Sequence, residues 1–81
     1  MVLHELKIGD KALIINILDD KNIDKQRLSD LGIVTGTEIT ALFRSPFGNP
    51  TAYLIRGTVF ALRDDISENI VVEMVKRWRN E

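Results

Sequence analysis

The side chains best suited to metal or acid–base chemistry in this sequence are His4 with its neighbour Glu5, and the acidic group Asp64, Asp65 and Glu68. His4 and Glu5 supply at most a pair of ligands, well short of a defined transition-metal centre. A Ca²⁺ ion wants about six or more oxygens arranged by a shaped loop, whereas Asp64, Asp65 and Glu68 crowd one short helical turn and read as solvated surface. There is no cysteine, hence no thiolate site, disulfide or cysteine nucleophile, and no glycine-rich phosphate loop. His4 is the sole histidine and lies near a terminus expected to be mobile. The expectation is a protein that is not an enzyme and holds no cofactor and no metal.

If the chemistry is thin, the frame around it is better defined. With 81 residues of which 44% are hydrophobic, the chain is a small globular domain that buries roughly 60% of its unfolded surface. The longest apolar runs, such as Ala12-Leu13-Ile14-Ile15, fall far short of the ~20 residues that cross a bilayer, and His4, Glu5 and Lys7 interrupt the stretch a signal peptide would need. Eleven basic residues stand against 12 acidic ones, a net charge of −1, so no general electrostatic attraction to nucleic acid or anionic lipid is present. Residues 1–75 are expected to form the domain and residues 76–81 a basic tail, Lys76-Arg77-Trp78-Arg79.

The centre of the chain is Arg27-Leu28-Ser29-Asp30-Leu31-Gly32-Ile33-Val34-Thr35-Gly36, a helix end, a tight exit and a turn into a strand. Leu28 and Leu31 share a helix face and should both be buried, and Gly32 stands where a left-handed residue closes the helix. Asn22 is the expected N-cap of a helix over residues 23–31, with Asp24 in its first turn. Strands are expected over Lys11–Leu18, whose unbroken apolar run implies burial on both faces, then from Ile39 to Arg44, Thr51 to Arg56, Val59 to Arg63 and Ile70 to Val75. Asp64–Asn69 should form one helical turn, and Ser45-Pro46-Phe47-Gly48-Asn49-Pro50 a rigid loop. Five short strands with one interposed helix fit a mainly β, small barrel, with an open antiparallel sheet as the rival.

Three stretches carry a resemblance to the FeoA family: Arg27-Leu28-x-x-Leu31-Gly32-Ile33-x-x-Gly36, Ser45-Pro46-x-Gly48-Asn49-Pro50 and Gly57-x-x-x-Ala61-Leu62-Arg63, in the family's order and spacing over nearly the whole chain. Asn49 stands where the family usually has Asp, and can serve the same turn by hydrogen-bonding its own backbone and tolerating a left-handed conformation. The resemblance implies a small SH3-like five-stranded barrel in the bacterial cytoplasm that works with FeoB, the membrane ferrous-iron transporter with a guanine-nucleotide-binding cytosolic region. The same barrel occurs as the C-terminal domain of DtxR-type metal-dependent repressors, which makes a regulatory module binding another protein or nucleic acid the alternative. No helix-turn-helix domain accompanies it here, which favours the transporter partner.

A docking surface follows from strand alternation. Ile39, Ala41 and Phe43 should face inward with Tyr53 and Ile55, leaving Leu42, Ala52 and Leu54 outside beside Thr40, Arg44 and Arg56. Leu42, Leu54 and the loop residue Phe47 would then form an apolar patch rimmed by arginines, suited to FeoB or to a second copy of the chain. The competing reading is that Leu3, Leu6 or Trp78 covers these residues. The five aromatics are too scattered for a nucleic-acid stacking platform, so no nucleic acid is expected, and the membrane should be met only through FeoB.

Overall fold

A computed structural model of the chain, describing residues 1–75, shows a mainly β fold built on a five-stranded antiparallel sheet. The strands are β1 (Lys11–Ile17), β2 (Glu38–Arg44), β3 (Thr51–Ile55), β4 (Thr58–Leu62) and β5 (Ile70–Met74), in spatial order β4-β3-β2-β1-β5. Helix α1 (Lys25–Asp30) lies between β1 and β2, α2 (Asp64–Ser67) between β4 and β5, and a 3₁₀ turn (Leu3–Glu5) opens the chain. One core takes a side chain from nearly every element: Leu3 and Leu6, Ala12 and Ile14, Leu28 and Ile33, Ile39 and Ala41, Tyr53 and Ile55, Leu62, Ile70 and Val72. The fold is therefore the mainly β, five-stranded form with a short helix and one helical turn that the sequence implies.

Helix α1 is shorter than expected and capped elsewhere. The Asp20 backbone carbonyl accepts from the Ile23 N–H and the Asp20 side chain from the Asn22 N–H, so these residues form a turn of their own. Asp24, not Asn22, is the N-cap, its Oδ1 accepting from the Arg27 N–H at 3.1 Å. At the other end the Ile33 N–H donates to the Leu28 carbonyl and the Gly32 N–H to the Ser29 carbonyl, a Schellman reversal that needs the positive φ of Gly32, +87°. This reversal decides the fate of Leu31. It sits at the C-cap, 44% exposed, because the backbone has already turned and sends Ile33, fully buried, into the place beside Leu28. The expectation that Leu28 and Leu31 are both buried holds for Leu28 alone.

Two β-bulges correct the strand readings. In β1 the pairing with β5 shifts between Ile14 and Asn16. Ala12 and Ile14 are buried while Leu13 is half-buried and Ile15 and Leu18 exposed, so the apolar run is not buried on both faces. In β2 the pairing with β3 shifts between Ala41 and Phe43: Ala41 stands opposite Tyr53, but Phe43, not Leu42, stands opposite Ala52. The extra residue reverses the alternation, and Phe43, expected inside, is 60% exposed. The 3₁₀ turn also corrects the picture of a mobile start. Leu3 and Leu6 are buried in the core, and His4 is held 3.3 Å from Asp64 on α2.

Candidate interaction surface

The outer face of β2, β3 and β4 is set by two rows of cross-strand neighbours, Thr40–Leu54–Val59 and Phe43–Ala52–Ala61. Phe43, Val59 and Leu54 are all exposed, at 60%, 55% and 37%. Ala52 shares this face but is 6% exposed and stands outside the core cluster, shielded beside Phe43 rather than available to a partner. Leu42 is half-buried at the bulge. The apolar patch thus exists with altered membership: Leu54 remains, Phe43 and Val59 join it, and Leu42 and Ala52 recede. Phe47 is 94% exposed at its loop tip, but Leu54 pairs with Thr40 at the end of β3 away from that loop, so the two do not adjoin. Leu3 and Leu6 do not cover the patch, since both are spent in the core. Trp78 and the rest of the basic tail lie outside the described residues.

Of the two arginines expected to rim the patch, Arg56 adjoins Leu54 and Thr40, whereas Arg44 does not share this face. Past the bulge Arg44, expected outside, stands in the row of Thr51 and the core residue Leu62, on the opposite side of the sheet from Phe43, and its guanidinium lies 3.5 Å from the buried Thr51 hydroxyl. Arg56 occupies the two-residue turn between β3 and β4, where it and Gly57 both adopt positive φ, +52° and +81°, a type I′ geometry that suits the twist of the two strands. Its side chain reaches back over Gly32, where an added Cβ would stand 3.2 Å from Arg56 Cδ. Of the other motif residues, Pro46, Gly48, Asn49 and Pro50 build the β2–β3 loop, with the Gly48 N–H donating to the Ser45 carbonyl. Asn49 has no positive φ and does not bond its own backbone; its Oδ1 accepts from the N–H of Asp64, which corrects the turn role read for it. Gly36 turns the chain into β2, and its N–H donates to the Ile14 carbonyl.

A second feature escaped the sequence reading. Between α1 and the outer strand β4 runs a mainly apolar groove of about 270 Å³, lined by Ile23, Leu28, Leu31, Phe60, Leu62 and Ile66, with the polar Asn22, Asp24 and Arg27 also in its wall. The signal was present in Leu31, which becomes groove lining once the helix is seen to stop before it.

The polar cluster at the α2 end offers little chemistry. His4 Nδ1 faces Asp64 Oδ1, Arg63 pairs with Asp65 at 3.7 Å, and among the described residues no three of His, Cys, Asp or Glu converge as a metal site would require. The nearby Tyr53 hydroxyl is buried without a hydrogen bond of regular geometry. Burial raises its pKa, an effect that the Ser67 and Thr51 hydroxyls and the Arg44 charge partly oppose.

Comparison with known proteins places this arrangement. The FeoA domain family model matches residues 1–74. The chain belongs to the FeoA domain family. A Porphyromonas gingivalis protein in which Fe²⁺ transport protein A is fused to the Fe²⁺ transporter FeoB is 31% identical over 75 residues; the match takes in 93% of this chain and spans 9% of that protein. The solution structure of FeoA from Chlorobium tepidum superposes with a TM-score of 0.85 at 32% identity, over 94% of this chain and 71% of that one. The zinc-complexed FeoA of Stenotrophomonas maltophilia, described as a prokaryotic SH3 domain protein, matches with a TM-score of 0.77 at 32% identity, over 90% and 89% of the two chains. A manganese-dependent transcriptional repressor shares the fold alone, with a TM-score of 0.81 at 19% identity over 91% of this chain and 40% of that one. Among the described residues no helix is long and apolar enough to cross a membrane.

Proposed function

We propose that this chain is a non-enzymatic accessory protein of ferrous iron transport that works in the cytoplasm, binds the cytosolic, GTPase-containing region of FeoB and modulates Fe²⁺ uptake. The observation that carries the reading is the 31% identical relative in which the two proteins are one polypeptide. Fusion through a flexible link holds domains at millimolar effective concentration, which serves partners that must meet. The exposed Phe43, Leu54 and Val59, with Arg56 at the turn beside Leu54, supply an apolar surface with a cation at one end on which such a partner can sit. The repressor-like alternative has a shared fold behind it, and no surface feature among the described residues favours it.

The test is titration of the chain against the soluble cytosolic region of FeoB. The wild-type chain binds, and Leu54→Glu, which places an unpaired charge in the interface while pointing to solvent in the free domain, binds about thirtyfold more weakly, a loss of ~2 kcal/mol, with an unchanged melting curve. Failure of the wild-type chain to bind would overturn the proposed function. Unchanged affinity of Leu54→Glu with a native melt would move the docking site off this face.

A further inference from the structure

The two edges of the sheet are treated differently by the chain. The outer edge of β5 is met by the chain's own start: Val2 bridges Val71, the Val72 N–H donates to the Met1 carbonyl at 2.8 Å, and the Met1 ammonium lies 3.4 Å from the Val72 carbonyl. At the opposite edge, β4 pairs with β3 alone, and among the described residues no backbone hydrogen bond joins Thr58–Leu62 to any other segment.

The turn before β4 fixes which of its groups are free. A two-residue turn at Arg56-Gly57 makes Ile55 and Thr58 a hydrogen-bonded pair, and the alternation of an antiparallel ladder does the same for Tyr53–Phe60 and Thr51–Leu62. Val59 and Ala61 therefore aim their N–H and C=O groups away from the sheet. Exposed edges are normally blunted by a charge, a proline or a bulge. Thr58-Val59-Phe60-Ala61-Leu62 has none of the three, and its register with β3 is unbroken. The strip beyond the edge is apolar on both sides: on one lies the groove between β4 and α1, and on the other Val59 and Ala61 continue the face of Leu54 and Phe43.

We infer that β4 is the docking edge, where an extended segment of a protein partner adds as a further antiparallel or parallel strand, bonding Val59 and Ala61. Its side chains alternate between the groove and the outer face, so the segment presents apolar residues at the groove positions. The inference rests on the proposed function, which makes the partner the FeoB cytosolic region. A second copy of the chain fits less well. An edge of five residues, roughly 17 Å long, is a short seam for two free copies when stable interfaces begin at ~1,200 Å², so a dimer through the edge alone would dissociate on dilution. For the transporter partner the exposed face of Phe43, Leu54 and Val59 adds contact beside the edge, and in the fused relative the shared polypeptide raises the effective concentration further.

Amide hydrogen exchange read by NMR on the labelled chain, alone and with the soluble cytosolic region of FeoB, tests this directly. The Val59 and Ala61 amides exchange freely in the isolated chain and slow at least about tenfold in the complex. Ala61→Pro removes an N–H that has no partner in the free fold, and Val59→Lys adds an edge charge at an exposed position; each weakens binding at least about tenfold. Should Ala61→Pro not fold, Val59→Lys and the wild-type exchange pattern decide. Binding in which both amides still exchange freely, or to which both folded variants are indifferent, overturns the edge while leaving the transporter reading intact. Absence of binding by the wild-type chain overturns both. Protection of the two amides that grows with concentration of the chain alone, with a dimer in sedimentation, makes a second copy the occupant and overturns the partner strand.

Discussion

The Oδ1 of Asn49 accepts a hydrogen bond from the backbone N–H of Asp64, 3.1 Å away, and so fastens the β2–β3 loop to the first turn of α2. The N-cap residue of that helix, Arg63, contributes no side-chain bond, and Asn49 does the work of a cap from 15 residues away in sequence.

Asn49→Ala should therefore cost about 1 kcal/mol, the usual loss for a deleted cap, as a lower midpoint in urea unfolding with an unchanged slope. Asn49→Asp, the residue usual in the resembled family, keeps the acceptor and adds negative charge at a helix start, so at pH 7 it should match or exceed the wild-type midpoint. A loss in Asn49→Asp equal to that in Asn49→Ala would show that the bond to Asp64 is not what Asn49 contributes.

Leu28 and Leu31 are three residues apart and should respond differently to truncation. Leu28 is 6% exposed within the core and Leu31 44% exposed at the groove. Leu28→Ala is expected to cost roughly 2–4 kcal/mol as a cavity-forming change, and Leu31→Ala less than about 1 kcal/mol. Equal losses in urea titrations would mean that Leu31 packs as tightly as its neighbour.

This pair also shows where sequence reasoning reached and where it stopped. The five strands, the helix and the helical turn were legible from period, glycines and prolines, because those signals are local. Helix length was not, since Leu28 and Leu31 satisfy the same spacing rule and only the Schellman bond from Ile33 shows which of them the reversal leaves outside. Strand parity failed at Leu42 and Phe43 for a related reason: a bulge adds one residue without a glycine or proline to announce it, and every later side chain in the strand changes sides. Leu54 faces outward as plain alternation implies, because β3 has no bulge between it and the core residues Tyr53 and Ile55. The bare edge of β4 depends on strand order, which no local pattern encodes.

Tyr53 makes stability fall at high pH. Burial raises its pKa above the ordinary value of 10.0, so above that value the unfolded chain gives up the phenol proton while the folded chain keeps it. The unfolded state then binds fewer protons, and stability, fully present below pH 10, declines as pH rises through the unfolded and towards the folded pKa. Tyr53→Phe should flatten this decline. At pH 7 the same change should shift stability by no more than about 1 kcal/mol, since the hydroxyl has no regular hydrogen-bond partner to lose. Melting curves from pH 7 to 11 check both; an equally steep alkaline decline in Tyr53→Phe would assign it to other groups.

Phe43 tests the bulge and the docking face together. Its ring lies opposite Ala52 on the outer side of β2, 60% exposed, where regular alternation would have buried it with Ala41. Phe43→Ser should accordingly change folding stability by no more than about 0.5 kcal/mol, as substitutions at exposed positions do. The same variant removes the largest exposed apolar side chain on the three-strand face, so its affinity for the soluble cytosolic region of FeoB should drop about tenfold. Urea unfolding and titration on one preparation separate the two effects. Destabilisation above about 2 kcal/mol would place the ring in the core and remove the bulge, whereas native stability with native affinity would keep the bulge and confine docking to the β4 end of the face.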